Sequence, residues 1–186
     1  MSAQYRANQL EYHYRPNQLD RRAIAKGTLA LMAATRNSKI PENKDAMKKY
    51  TKIIIRWLCR EMHHSADFAS QAASQTAKEM GMTHEELLDM WWRDQPKRDP
   101  RRKKLHFEHM YPIAQAVSEI ITMSHPTIQK IEAILAKIVV CWVTKEENTE
   151  LGGGKRPDPW KTYEDAKIVL LNRTGLQVKS ASVANP

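Results

Sequence analysis

Cysteine is scarce: only Cys59 and Cys141 occur in 186 residues, no Cys-x-x-Cys pair exists, and each thiol sits in an apolar run, 53–59 and 138–143. That arrangement excludes a disulfide framework and argues against a zinc knuckle; it predicts two buried free thiols. Long apolar runs are also missing, and none approaches the ~20 residues that cross a bilayer. Residues 1–20 lack the apolar centre of a signal peptide, so no membrane association and a reducing cytoplasm are expected. There is no internal repeat, and no Gly-x-Ser-x-Gly elbow for a serine nucleophile. Gly152-Gly-Gly-Lys-Arg156 lacks the full spacing of a phosphate-binding loop and reads as the end of a helix.

Acidic residues are the minority. Lys and Arg number 30 against 21 Asp and Glu, a formal net charge of +9. Such an excess sets up a field that concentrates polyanions. The charge also clusters: Lys97, Arg98, Arg101, Arg102, Lys103 and Lys104 lie in one run with Asp99 among them. With two prolines and no apolar side chain, residues 95–104 read as an unpacked basic linker. Its cations are expected to contact nucleic-acid phosphates; a merely solvated linker is the alternative.

The remaining pattern predicts a mainly α protein. A helical region, 1–94, precedes the linker. An α+β module with a short two-stranded sheet, 105–171, follows it, and 172–186 reads as a flexible tail. Residues 1–18, with Tyr5, Tyr12 and Tyr14, read as an arm that is irregular or ordered only on docking. A helix starts near Leu19 with Asp20 as its cap. A second, from about Glu42 to His64, repeats Met47, Tyr50, Ile54, Trp57, Leu58 and Met62 at three- and four-residue spacing, which places Ile54, Trp57 and Leu58 in the core. Helix continues through the small residues of 66–80. Thr83 and Glu86, and again Thr144 and Glu147, have capping-box spacing. Trp91 and Trp92 read as core. Leu105 to Met110 alternates as a strand, Ser124 caps a helix, 139–143 reads as a buried strand, and Asp158-Pro159 starts a helix carrying Trp160, Tyr163 and Leu170.

Residues able to do chemistry are densest in His106-Phe-Glu-His-Met-Tyr-Pro112. On a strand, His106, Glu108 and Met110 point one way, and Phe107, His109 and Tyr111 the other. Glu108 is a hard oxygen donor suited to a magnesium-type cation. His109 titrates near neutrality and can take a proton from water. Glu108-His109-x-x-Pro112 resembles the opening of the HNH, or ββα-metal, endonuclease motif, with a second strand and helix at 138–151 to complete it. The resemblance covers about residues 105–150. It implies His109 as general base, with Glu108 and Asn148 on a Mg2+ or Mn2+ ion; His106 lies beside them as a second candidate. In the family the strands join by a short loop, whereas two predicted helices intervene here. The Glu-His-x-x-Pro, Thr144-Lys-Glu-Glu and Trp160-x-x-Tyr163-x-x-Ala166 blocks are also similar to small uncharacterised bacterial proteins, which implies no activity.

Two functions follow as expectations. One is a metal-dependent endonuclease that hydrolyses phosphodiester bonds of DNA. The other is a non-catalytic nucleic-acid-binding protein, such as a regulator or a phage or defence accessory factor, in which Glu108 and His109 are a hydrogen-bonded pair beside a basic surface. A homodimer, or a protein partner seated on the amino-terminal helices, is the third expectation.

Overall fold

The computed structural model describes residues 18–37 and 41–178. The tyrosine arm and residues 179–186 lie outside the described residues. In chain order the elements are α1 (Gln18–Asn37), α2 (Pro41–Glu61), β1 (Phe68–Ser70), α3 (Gln71–Glu79), α4 (His84–Asp89), α5 (Gln95–Arg98), β2 (Leu105–His109), α6 (Ile113–Thr122), α7 (Ile128–Ala136), β3 (Val140–Thr144), α8 (Lys145–Leu151), α9 (Pro159–Asp165) and β4 (Leu170–Leu171). The fold is mainly α, as expected, but its sheet has four strands instead of two. The described chain divides into two compact units, 18–63 with 112–138 and 64–111 with 139–178. The division falls on either side of the basic run and not within it. No helix among the described residues is long and apolar enough to cross a membrane.

The first unit is helical. α1 packs on α2 and α7, α2 on α6, and α6 on α7. Ala25, Thr28 and Met32 supply the buried face of α1; Ile113, Ala116, Val117 and Ile120 that of α6. The guanidinium of Arg36 donates to the carbonyls of Met123 and Ser124, closing the last turn of α1 against the end of α6. α1 begins at Gln18, so Asp20 lies inside its first turn instead of capping it. Thr127, not Ser124, caps α7: its hydroxyl accepts from the Lys130 N–H at 3.2 Å. The inward face of α2 also differs from expectation. Thr51, Ile55, Cys59 and Met62 are buried, while Trp57 is 56% and Ile54 38% exposed. Three consecutive isoleucines, 53–55, leave the apolar spacing satisfied by either of two adjacent faces. Thr51 lies on the face that is buried, its hydroxyl meeting that of Thr35 on α1 at 3.1 Å.

The second unit is built on the sheet, in the order β2-β3-β1-β4. β3 pairs antiparallel with β2 and parallel with β1; β4 pairs antiparallel with β1. All five residues of β3 are buried, because both of its faces are covered. Val140 and Trp142 join Ala69, Ala73, Ala77, Leu87 and Leu88 in one core, against α3 and α4. Cys141 and Val143 join Met110, Leu151, Tyr163 and Leu170 in the other. Both cysteines are buried free thiols; burial pushes Cys59 up to about 12 and raises Cys141 further.

The two unforeseen strands lie inside segments that read as helix. Phe68–Ser70 interrupts the small-residue run of 66–80, and Leu170 belongs to β4 and not to the helix of Trp160. Each is two or three residues long and is held by pairing with distant chain, Phe68 opposite Cys141 and Ala69 opposite Leu171. Residues 172–178 turn back on the sheet: the Asn172 carboxamide oxygen accepts from the Thr174 and Leu176 N–H groups, and Val178 N–H donates to Leu170.

Candidate functional site

The basic run is where the structure departs most from a linker. It carries α5, then a 3-10 turn at Pro100–Arg102, and it is wound around a buried carboxylate. Asp99 is 2% exposed. Its Oδ1 accepts from the Lys103 and Lys104 N–H groups at 3.0 and 3.2 Å, and its Oδ2 accepts from Leu105 N–H at 2.9 Å. Oδ2 also accepts from the Gln95 amide at 3.1 Å, and the same amide nitrogen donates to the Leu105 carbonyl at 2.7 Å. A segment without apolar residues is thus packed through buried polar groups that satisfy one another, which hydropathy does not report.

That inward carboxylate turns the cations outward. Lys97, Arg98, Arg101, Lys103 and Lys104 are exposed, and Arg102 is half-buried. Lys97 meets Asp94 at 2.6 Å on the surface. Arg101 and Arg102 hold φ values of 62° and 51°, in the left-handed region that costs a side-chain-bearing residue ~1–2 kcal/mol. The Asp99 hydrogen bonds hold the chain there.

Trp91 and Trp92, expected as core, are half-buried at the edge of this loop. The Arg93 guanidinium lies 4.8 Å from the Trp91 ring centre and 5.3 Å from that of Trp92. Arg102 lies 5.2 Å from the Trp92 ring and donates to the Trp92 carbonyl at 3.3 Å. His64 meets Trp91 ring to ring at 5.0 Å. These distances are within cation–π range, and Arg93 is exposed while Arg102 is half-buried. The sequence signal was Trp-Trp-Arg standing next to a basic run.

The HNH-like residues assemble differently from the motif they resemble. β2 and β3 are antiparallel, and α8 follows and packs on both. Strand alternation sends Glu108 and His109 to opposite faces. His109 sits edge-on to Phe107 at 6.0 Å, and Phe107 packs on Trp142. On the other face, Glu108 accepts from Arg156 at 2.5 Å and pairs with His106 Nε2 at 3.1 Å. Lys145 Nζ lies 3.3 Å from His106 Nδ1. Arg156, read as part of a helix-ending loop, is itself 5% exposed and also donates to the Gly152 carbonyl at 3.1 Å. Burial pushes the Glu108 carboxyl up, but the hydrogen bonds from His106 and Arg156, with their charges, outweigh it and hold it below the usual carboxylate range.

These residues do not fit a divalent cation. Both Glu108 oxygens are engaged by nitrogen groups, and an ion there would meet a guanidinium. His109 faces away, and Asn148 lies half-buried on α8. Among the described residues no three His, Cys, Asp or Glu side chains gather in a way that could hold a metal ion. Glu147 closes the α8 capping box that its spacing predicts, and it also accepts from the Ser70 hydroxyl, the α3 cap, at 2.6 Å. No protein-family model, curated protein or solved structure matches this chain.

Proposed function

We propose that this is a non-catalytic nucleic-acid-binding protein, with DNA as the polymer to test first. In this reading the loop of residues 95–104 grips the phosphate backbone. One observation carries it: Asp99 spends its charge inside the loop, on backbone N–H groups, and leaves Arg101, Lys103, Lys104 and their neighbours directed outward on a fixed frame. Binding phosphates costs such a frame less conformational freedom than it costs a flexible tail. Arg93 and Arg102, stacked on Trp91 and Trp92, extend the cationic surface beside it.

The test is a binding titration by fluorescence anisotropy at salt concentrations between about 50 and 200 mM, on labelled single-stranded and duplex DNA. Log affinity should fall linearly with log salt. Replacing Arg101, Arg102, Lys103 and Lys104 with Ala should reduce that slope by up to ~0.9 for each phosphate the loop no longer neutralises. A slope that does not change would place the ligand elsewhere. Plasmid nicking with magnesium or manganese, run alongside, should give no cleavage above a chelator control. Metal-dependent cleavage that disappears in His106→Ala or His109→Ala would replace the binding reading with the endonuclease one.

A further inference from the structure

We propose that the groove between α2 and α6, in the first unit, is the docking site for an acidic amphipathic helix of a partner protein. The groove encloses about 320 Å³ and is lined by residues of these two helices. Lys48, Lys52 and Arg56 form one wall, spaced i, i+4 and i+8 along α2. The other carries Ala114 and Ile121, with the mostly buried Val117 between them in register i, i+3 and i+7 along α6, and the Ser118 and Thr122 side chains beside them. Both sets are in helical register, so each wall is continuous for about two turns, or ~12 Å at 1.5 Å per residue. Among the described residues no carboxylate lines the groove. One wall therefore asks for negative charge and the other for aliphatic side chains, and a helix with acidic and apolar faces supplies both at matching spacing.

The surface of α2 beyond the groove points the same way. Ile53 stands at the lip, and the apolar stripe continues around the helix through Tyr50 and Trp57, which are 63% and 56% exposed. Large exposed aromatics of this kind are enriched as anchors at protein interfaces. A second copy seated symmetrically, with this face against itself, would bring Lys52 and Arg56 toward like charges. A nucleic acid would match the cations but would leave Ala114 and Ile121 facing phosphate and sugar. Charge and hydropathy together select the acidic helix.

The probe is a fluorescein-labelled synthetic helical peptide of about four turns, with Leu at i, i+3 and i+7 and Glu on the flank. It is titrated into the full chain by anisotropy. A peptide with Lys in place of every Glu and a labelled oligonucleotide are run in parallel. The acidic peptide should bind and the basic one should not. Lys52→Glu with Arg56→Glu should weaken the acidic peptide by about tenfold or more. Ala114→Glu, an exposed change on the opposite wall, should weaken it too, with helix content unchanged by circular dichroism. Equal binding of the two peptides, binding of neither, or full affinity in both variants overturns the proposal. So does a loss confined to the oligonucleotide, which would assign the groove to nucleic acid. A change in sedimentation mass in the double variant would assign it to a second copy.

Discussion

Arg156 and Glu108 form an ion pair removed from water on both sides: their side chains are 6% and 15% exposed. Breaking such a pair from one end leaves the other charge buried without compensation, which typically costs ~3–5 kcal/mol. Arg156→Ala should lower stability by about that amount in urea unfolding at neutral pH. Arg156→Lys should recover only part of the loss, because an ammonium cannot reproduce a fork that reaches both Glu108 and the Gly152 carbonyl. The pH dependence follows from the sign of the Glu108 shift. Its carboxyl is held below the usual range when folded, so its contribution is fully present above the ordinary value of ~4.3. It is lost as pH falls from there through the folded value. Glu108→Gln should therefore flatten the acid limb of the stability profile. An acid limb identical to wild type would mean that the pair does not form in solution.

At the scale of elements, the basic loop holds Arg101 and Arg102 in the left-handed region, a strain consistent with the phosphate-gripping role proposed for it. Arg101→Gly removes a left-handed side chain and should raise stability by up to ~1 kcal/mol in thermal unfolding. The same change should weaken DNA binding, because it deletes a cation and frees the backbone that aims its neighbours. Gain of stability with undiminished affinity would show that Arg101 does not touch the ligand. The exposed face of α2 makes a second prediction. Buried, as its spacing suggested, Trp57 would cost ~3–5 kcal/mol on truncation. At 56% exposed, Trp57→Ala should cost well below that, roughly 1–2 kcal/mol at most.

Which elements were legible follows from where their signals reside. Thr83 with Glu86 and Thr144 with Glu147 are local devices, and both capping boxes form as spaced. β2 and β3 carried alternation or β-branched residues and appear where expected. β1 and β4 carry no such pattern; partners 73 and 102 residues away define them, as in Phe68 with Cys141 and Ala69 with Leu171. The site divided in the same way. The cations of 97–104 were legible as charge. Their frame was not, because Gln95 and Asp99 are buried by hydrogen bonding and hydropathy counts them as surface. Glu108 and His109 are neighbours in sequence, and a strand separates such neighbours onto opposite faces.

For the whole molecule, two descriptions of nucleic-acid binding compete. In one, a net charge of +9 attracts a polyanion and the arrangement of the cations matters little. In the other, a loop wound on one buried carboxylate presents them. Asp99→Asn separates the two, because it raises the net charge by one while replacing one of two acceptor oxygens with an NH2, which must face either the Lys103 N–H on the Oδ1 side or the Leu105 N–H and Gln95 amide on the Oδ2 side. The measurement is the dissociation constant for a short DNA at fixed salt, for wild type and Asp99→Asn, with the variant confirmed folded at the assay temperature. The preorganised loop predicts weaker binding, by about threefold or more, despite the added positive charge. Tighter binding by the variant would contradict it and return the interaction to net charge alone.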